Sequence, residues 1–261
     1  MMNFNLNGST KKMTVFGSIQ SSLTFFMGLS VLANPNFSLL NKQCEQVEEI
    51  ADQDPTTQTA ESDQRIQTIA TNIVNWKKRY SNGLWWSCGK SLNVDEQLDL
   101  ALEISSAVIV ASDEYSTEDF WLDPEEIILT MAIESSFDPC AVGKSTREFA
   151  YQKKLWVRSK KTISHSREDL AKLVAYRDVN GIKSNIDMGL TQILWPRYYN
   201  GSYSEMTDIF THTDIAAQMM VSWAKMKKMD RPALLWKGWS DKNIEHRNDT
   251  LRKFRFQFYG S

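Results

Sequence analysis

Residues 131–143, MAIESSFDPCAVG, place one carboxylate, Glu134, at the end of an apolar helical run. Ile127, Met131 and Glu134 fall at i, i+4 and i+7, so the acid shares a helix face with apolar anchors. A carboxylate aimed at a core is costly unless it is paired or functional, and desolvation favours the protonated form of such a group. A glutamic acid kept in that form can act as general acid toward a glycosidic oxygen. The plainer reading of the same residues is a glutamate at a helix C-terminus, turned to solvent or capping a loop amide.

The acid must be positioned by helices. Asp123 reads as an N-cap with Pro124 in the first helical position, and Glu125 and Glu126 favour the positive end of the helix that carries Glu134. Upstream, Ile66, Ile69, Ala70, Ile73 and Trp76 form one apolar face. A second helix opens at Asn93, with Glu96 at the capping-box position. Its stripe is Leu98, Ala101, Leu102, Ser105, Val108 and Ile109. Thr213 is a candidate cap for a fourth helix, striped by Ile215, Met219, Trp223 and Met226. No sustained strand alternation, repeat or Gly-rich phosphate loop appears, so the expected class is all-α.

The chain has 261 residues, 42% hydrophobic and 24% charged, enough for one core-bearing domain plus appendages. A net charge of -2 gives no general nucleic-acid footprint. Nine Trp and eight Tyr serve either a core or a stacking cleft. Cys44, Cys88 and Cys140, with His165, His212 and His246, lack metal-ligand spacing, so neither a metal nor a cofactor is expected. In an exported chain Cys88 and Cys140 could pair, leaving Cys44 odd.

At the amino terminus, KKM precedes an apolar stretch ending V-L-A at Ala33, which fits a secretory signal peptide over 1–33. Its Ser and Gln residues make it a poor permanent span; an uncleaved anchor is the alternative. Residues 34–64, acidic and Gln/Thr-rich, read as a flexible linker ahead of a domain over 65–261. Export to the periplasm or the extracellular space is expected.

The residues around Glu134 carry a resemblance. ESSFDPCAVG resembles the first motif of the lytic transglycosylase catalytic domain, in which a helix delivers Glu-Ser into a cleft and Phe-x-Pro-x-Ala turns the chain away. DMGLTQI, residues 187–193, resembles the family's Gly-Leu-Met-Gln motif and is followed by Pro196. The helix DIAAQMMVSWAKMKKM resembles the one that backs the cleft. The likeness covers residues 93–237 and implies a lysozyme-like fold and cleavage of the glycan strand of peptidoglycan. By that resemblance Glu134 is the sole acid/base, Ser135 sits beside it, Gln192 hydrogen-bonds substrate, and Gly189 permits close backbone approach.

Three departures qualify it. Thr191 stands where the family has Met. The third motif, which brings a Tyr to the catalytic Glu, is not recognisable; Trp236 and Trp239 in ALLWKGW are the candidates for that space, Trp236 against substrate. Residues 144–186 intervene where the family has a short loop. They include the basic run KKLWVRSKK and a helix capped by Ser166 and Asp169. The insertion is either a lid or docking surface for an envelope partner, using Lys153, Lys154, Arg158, Lys160 and Lys161, or a solvated basic face. Two rival functions stay open: a goose-type-like lysozyme using Asp187 as a second carboxylate, and an inactive wall-binding scaffold.

Overall fold

The computed structural model describes residues 55–156, 164–182, 185–199, 201–236, 238 and 240–259, with side chains from residue 61 onward. The chain divides into two units, 1–60 and 61–261. The signal-peptide reading and Cys44 lie outside the described residues.

Among the described residues seven helices dominate: α1 Pro55–Tyr80, α2 Val94–Tyr115, α3 Pro124–Ser135, α4 Lys144–Gln152, α5 Arg167–Val179, α6 Ile209–Lys227 and α7 Asp241–Tyr259. Two antiparallel hairpins join them, β1 Trp86–Ser87 with β2 Lys90–Ser91, and β3 Ile186–Met188 with β4 Ile193–Trp195. Among the described residues no helix is long and apolar enough to cross a membrane.

The linker reading needs correction at its end: residues 55–64 are helical, the first part of α1. Pro55 sits where a helix tolerates it, and the TTQTAESDQ that follows has no breaker. Polar composition does not prevent a helix that continues into an amphipathic segment. The α2 and α5 capping boxes form as the sequence indicates, at Asn93–Glu96 and Ser166–Asp169, and Asp123 caps α3. Asp208, not Thr213, caps α6; the Thr213 hydroxyl instead donates to the Ile209 carbonyl inside the helix. Ala101, Ser105, Val108 and Ile109 of the expected α2 stripe and Ile215 and Met219 of the α6 stripe are buried, whereas Leu98 near the start of α2 and Met226 at the end of α6 are exposed.

Two apolar cores result. The first joins α1, α2, α3, α6 and α7 through Ile73, Ile104, Val108, Ile127, Met131, Phe137 and Met220. The second joins α4, α5, the β3–β4 hairpin and the other face of α6 through Ala150, Leu170, Leu173, Met188, Ile193 and Ala216. Residues 144–186 therefore supply much of the second core. Of the basic residues in that run only Lys153 and Lys154 are described, exposed in the turn after α4.

A disulfide between Cys88 and Cys140 pins the β1–β2 turn to the loop after α3. Asp138, buried beside it, accepts the N–H groups of both cysteines at 3.1 and 3.0 Å. Burial raises its carboxyl, opposed by the Ser164 hydroxyl, the two amides and the Lys77 charge.

Candidate functional site

Glu134 closes α3. Ile127 and Met131 on its face are fully buried, and the glutamate side chain is 5% exposed, which excludes the solvent-turned reading. Its charge is offset by Arg247 of α7, itself 1% exposed, whose Nη1 donates to Glu134 Oε1 at 2.8 Å. Arg247 also donates through Nε to the Ala233 carbonyl at 3.2 Å, and its Nη2 lies within 3.4 Å of Thr130 Oγ1. Burial pulls the guanidinium below its ordinary range, and Glu134 and then Glu126 oppose this.

One helical face of α3 thus presents Glu126, Thr130 and Glu134 to the C-terminal part of the chain. Glu126 accepts from Arg231 at 3.0 Å and from the Ala233 amide at 3.1 Å. The resemblance implies a tyrosine donor to the Glu134 carboxylate; among the described contacts an arginine donates to it. Sequence reasoning missed it because HRND in α7 carries no motif and lies 113 residues from Glu134.

The chain leaves Glu134 sharply. Ser136 and Phe137 have φ of 53° and 64°, left-handed conformations that cost roughly 1–2 kcal/mol per non-glycine residue. Two contacts hold this turn. Phe137 is fully buried among Trp76, Trp85 and Phe258, a burial that contributes about 2–3 kcal/mol. Lys77 Nζ donates to the Ser136 carbonyl at 2.9 Å. Burial brings that ammonium down to about 8, against the pull of Asp138. The Ser135 hydroxyl donates to Met131 in its own helix.

The second motif forms the turn of the β3–β4 hairpin and reaches the exit loop of the first. Gly189 N–H and Gln192 Nε2 both donate to the Ala141 carbonyl, at 2.9 and 3.0 Å, and Gly143 N–H donates to the Asp187 carbonyl at 3.0 Å. Gln192 Nε2 also reaches the Gly189 carbonyl at 2.9 Å. Both N–H bonds of that amide therefore serve the loop.

Gly189 is needed for a reason the sequence did not show. Its φ is 81°, and a Cβ there would lie 2.3 Å from the His212 ring and 2.6 Å from the Met206 carbonyl. The close approach is thus by a buried histidine of α6. The Thr191 N–H donates to His212 Nε2 at 3.0 Å, so Nε2 is the acceptor and Nδ1 carries the hydrogen, donated to the Met206 carbonyl at 3.0 Å. The Thr191 hydroxyl reaches the same Nε2 at 2.8 Å, which gives the Thr-for-Met departure a structural role. Complete burial pushes this imidazole down to about 4, keeping it neutral.

Trp236 completes the arrangement. Its indole donates to the Thr191 carbonyl at 2.7 Å, and its ring lies 5.3 Å from Trp223, which meets Tyr198 edge-on at 6.3 Å. These three half-buried rings form an aromatic row beside the second motif. Trp236 N–H and Arg247 Nε share the Ala233 carbonyl as acceptor, so one short 3₁₀ segment, Pro232–Leu235, connects the aromatic row to Glu134. Trp239 lies outside the described residues.

Asp187 lies next to the second motif, in β3. Its carboxylate lies against Gly143, where an added Cβ would be 2.5 Å from Oδ2, at the N-terminal end of α4. A cavity of about 200 Å³ adjoins that end, lined by Ser145, Thr146, Phe149, Leu173, Arg177 and Ile186. Comparisons with protein-family models, curated proteins and solved structures found no match for this chain.

Proposed function

We propose that the protein is an exported, lysozyme-like lytic transglycosylase that cleaves the bond between N-acetylmuramic acid and N-acetylglucosamine in peptidoglycan. One observation carries this reading: the exit loop of Glu134 is hydrogen-bonded directly to the Gly189–Gln192 turn, and Glu134 itself is linked to Trp236 through Arg247 and the Ala233 carbonyl. Two motifs separated in sequence thereby share one construction with a single carboxylate at its helix end.

In this mechanism Glu134 first takes up a proton beside the Arg247 cation, then gives it to the glycosidic oxygen as the C1–O bond breaks. The resulting carboxylate then takes the proton of the muramoyl 6-hydroxyl as O6 bonds to C1. The proton returns to Glu134, so each turnover ends with the acid reloaded, and one carboxylate suffices. The aromatic row of Tyr198, Trp223 and Trp236 supplies apolar ring faces for stacking on sugars.

A second reading has its own support. A buried Glu–Arg pair together with a Gln192 amide engaged by the loop suits a wall-binding scaffold in which Glu134 is structural. Incubation with peptidoglycan sacculi separates the two: soluble muropeptides indicate an enzyme, whereas binding without release indicates a scaffold. Asp187→Asn tests the hydrolytic variant. With Asp187 set against α4, activity should stay within about threefold of the parent, since only a water-activating second carboxylate would make its loss severe.

A further inference from the structure

We infer that Arg247 is the positioning residue of the Glu134 site, fixing the direction of the acid and offsetting its charge whenever it is the base; this rests on the acid–base reading of Glu134. Nothing in the sequence motifs points to it. The guanidinium bridges Glu134 and Ala233 and lies against Thr130, so its orientation is set by α3 and by the 3₁₀ segment next to Trp236. A planar fork held at several points can fix a carboxylate's direction, which a lysine ammonium on a flexible stem cannot reproduce.

Stability alone does not account for the pair. A buried ion pair can often be replaced by apolar side chains of similar volume without loss, so its presence is weak evidence for a purely structural role. Orientation is where this site needs help. Glu134 is the penultimate residue of α3, and two left-handed residues follow immediately after Ser135, so no further turn of its helix holds the side chain. Arg247 is a buried contact that can hold it. The guanidinium keeps all its protons through the cycle: the proton moves from Glu134 to the leaving oxygen and back from the 6-hydroxyl, while the cation faces the carboxylate in between.

The test compares the parent with Arg247→Lys and Arg247→Ala on purified glycan strands, with rates normalised to folded protein by circular dichroism. Both variants should lose about a hundredfold in kcat, the scale of a misplaced catalytic group, with KM within about threefold. Millimolar guanidinium ion should restore at least about tenfold to Arg247→Ala, as expected for a missing oriented cation. Arg247→Lys with kcat within threefold of the parent overturns the inference, as does loss mainly in KM. Failure of both variants to fold also overturns it, since the residue is then structural. A parent that releases no muropeptides instead removes the enzymatic reading, and this inference with it.

Discussion

Glu134→Gln should lower muropeptide release from sacculi by about a hundredfold or more, the usual scale for losing a general acid–base group. Glutamine keeps the size of the side chain and an oxygen for Arg247 but has no titratable proton. The exchange also leaves a buried guanidinium without its anion, so stability should fall. Breaking one side of a buried pair costs about 3–5 kcal/mol, and the retained acceptor places this exchange at the low end. Activity must therefore be read at a temperature where circular dichroism shows a folded protein. A folded Glu134→Gln variant with full activity would take Glu134 out of the chemistry.

Gly189→Ala should be the most damaging single methyl in the described chain. The left-handed φ of 81° disfavours any Cβ, and the added carbon would overlap both the His212 ring and the Met206 carbonyl. Backbone conformation alone accounts for roughly 1–2 kcal/mol, and overpacking of a tight core adds typically about 1–3 kcal/mol. A denaturation midpoint measured by urea titration should show a loss of this combined order. In a His212→Ser background the methyl should cost less, because the ring overlap is gone while that with Met206 remains. An unchanged midpoint in Gly189→Ala would mean that the turn is not built around His212.

The helical scaffold was legible because its signals are local. Asn93 with Glu96, Ser166 with Asp169, and Asp123 before Pro124 each specify a helix start within four residues, and each forms. The apolar face containing Ala70, Ile73 and Trp76 is buried as its spacing requires. Thr213 misled because a threonine inside a helix satisfies its hydroxyl on the preceding turn, leaving the cap to Asp208 five residues earlier. The acidic stretch ending at residue 64 misled because polar composition identifies what lacks a core face, and says less about whether the backbone is helical.

The site divides in the same way. Placement of Glu134 on the buried face of α3 follows from a period of 3.6, so it was readable. Its partner was not, because Arg247 meets it only through the packing of α7 on α3. The glycine of the second motif was recognisable as a position requiring freedom, but the crowding group, His212, stands 23 residues away on α6 and was noted only as an isolated histidine. For Gln192 the motif gave the residue but not the bonds its amide hydrogens make, which close the loop between Ala141 and Gly189.

The mass of the glycan ends released from sacculi separates intramolecular cleavage from hydrolysis. Intramolecular attack by the 6-hydroxyl leaves a 1,6-anhydro ring, so each such muropeptide is lighter by one water than its hydrolysed counterpart. The parent protein should release anhydro ends, and Glu134→Gln should lose them. Digests containing only reducing ends would contradict intramolecular cleavage.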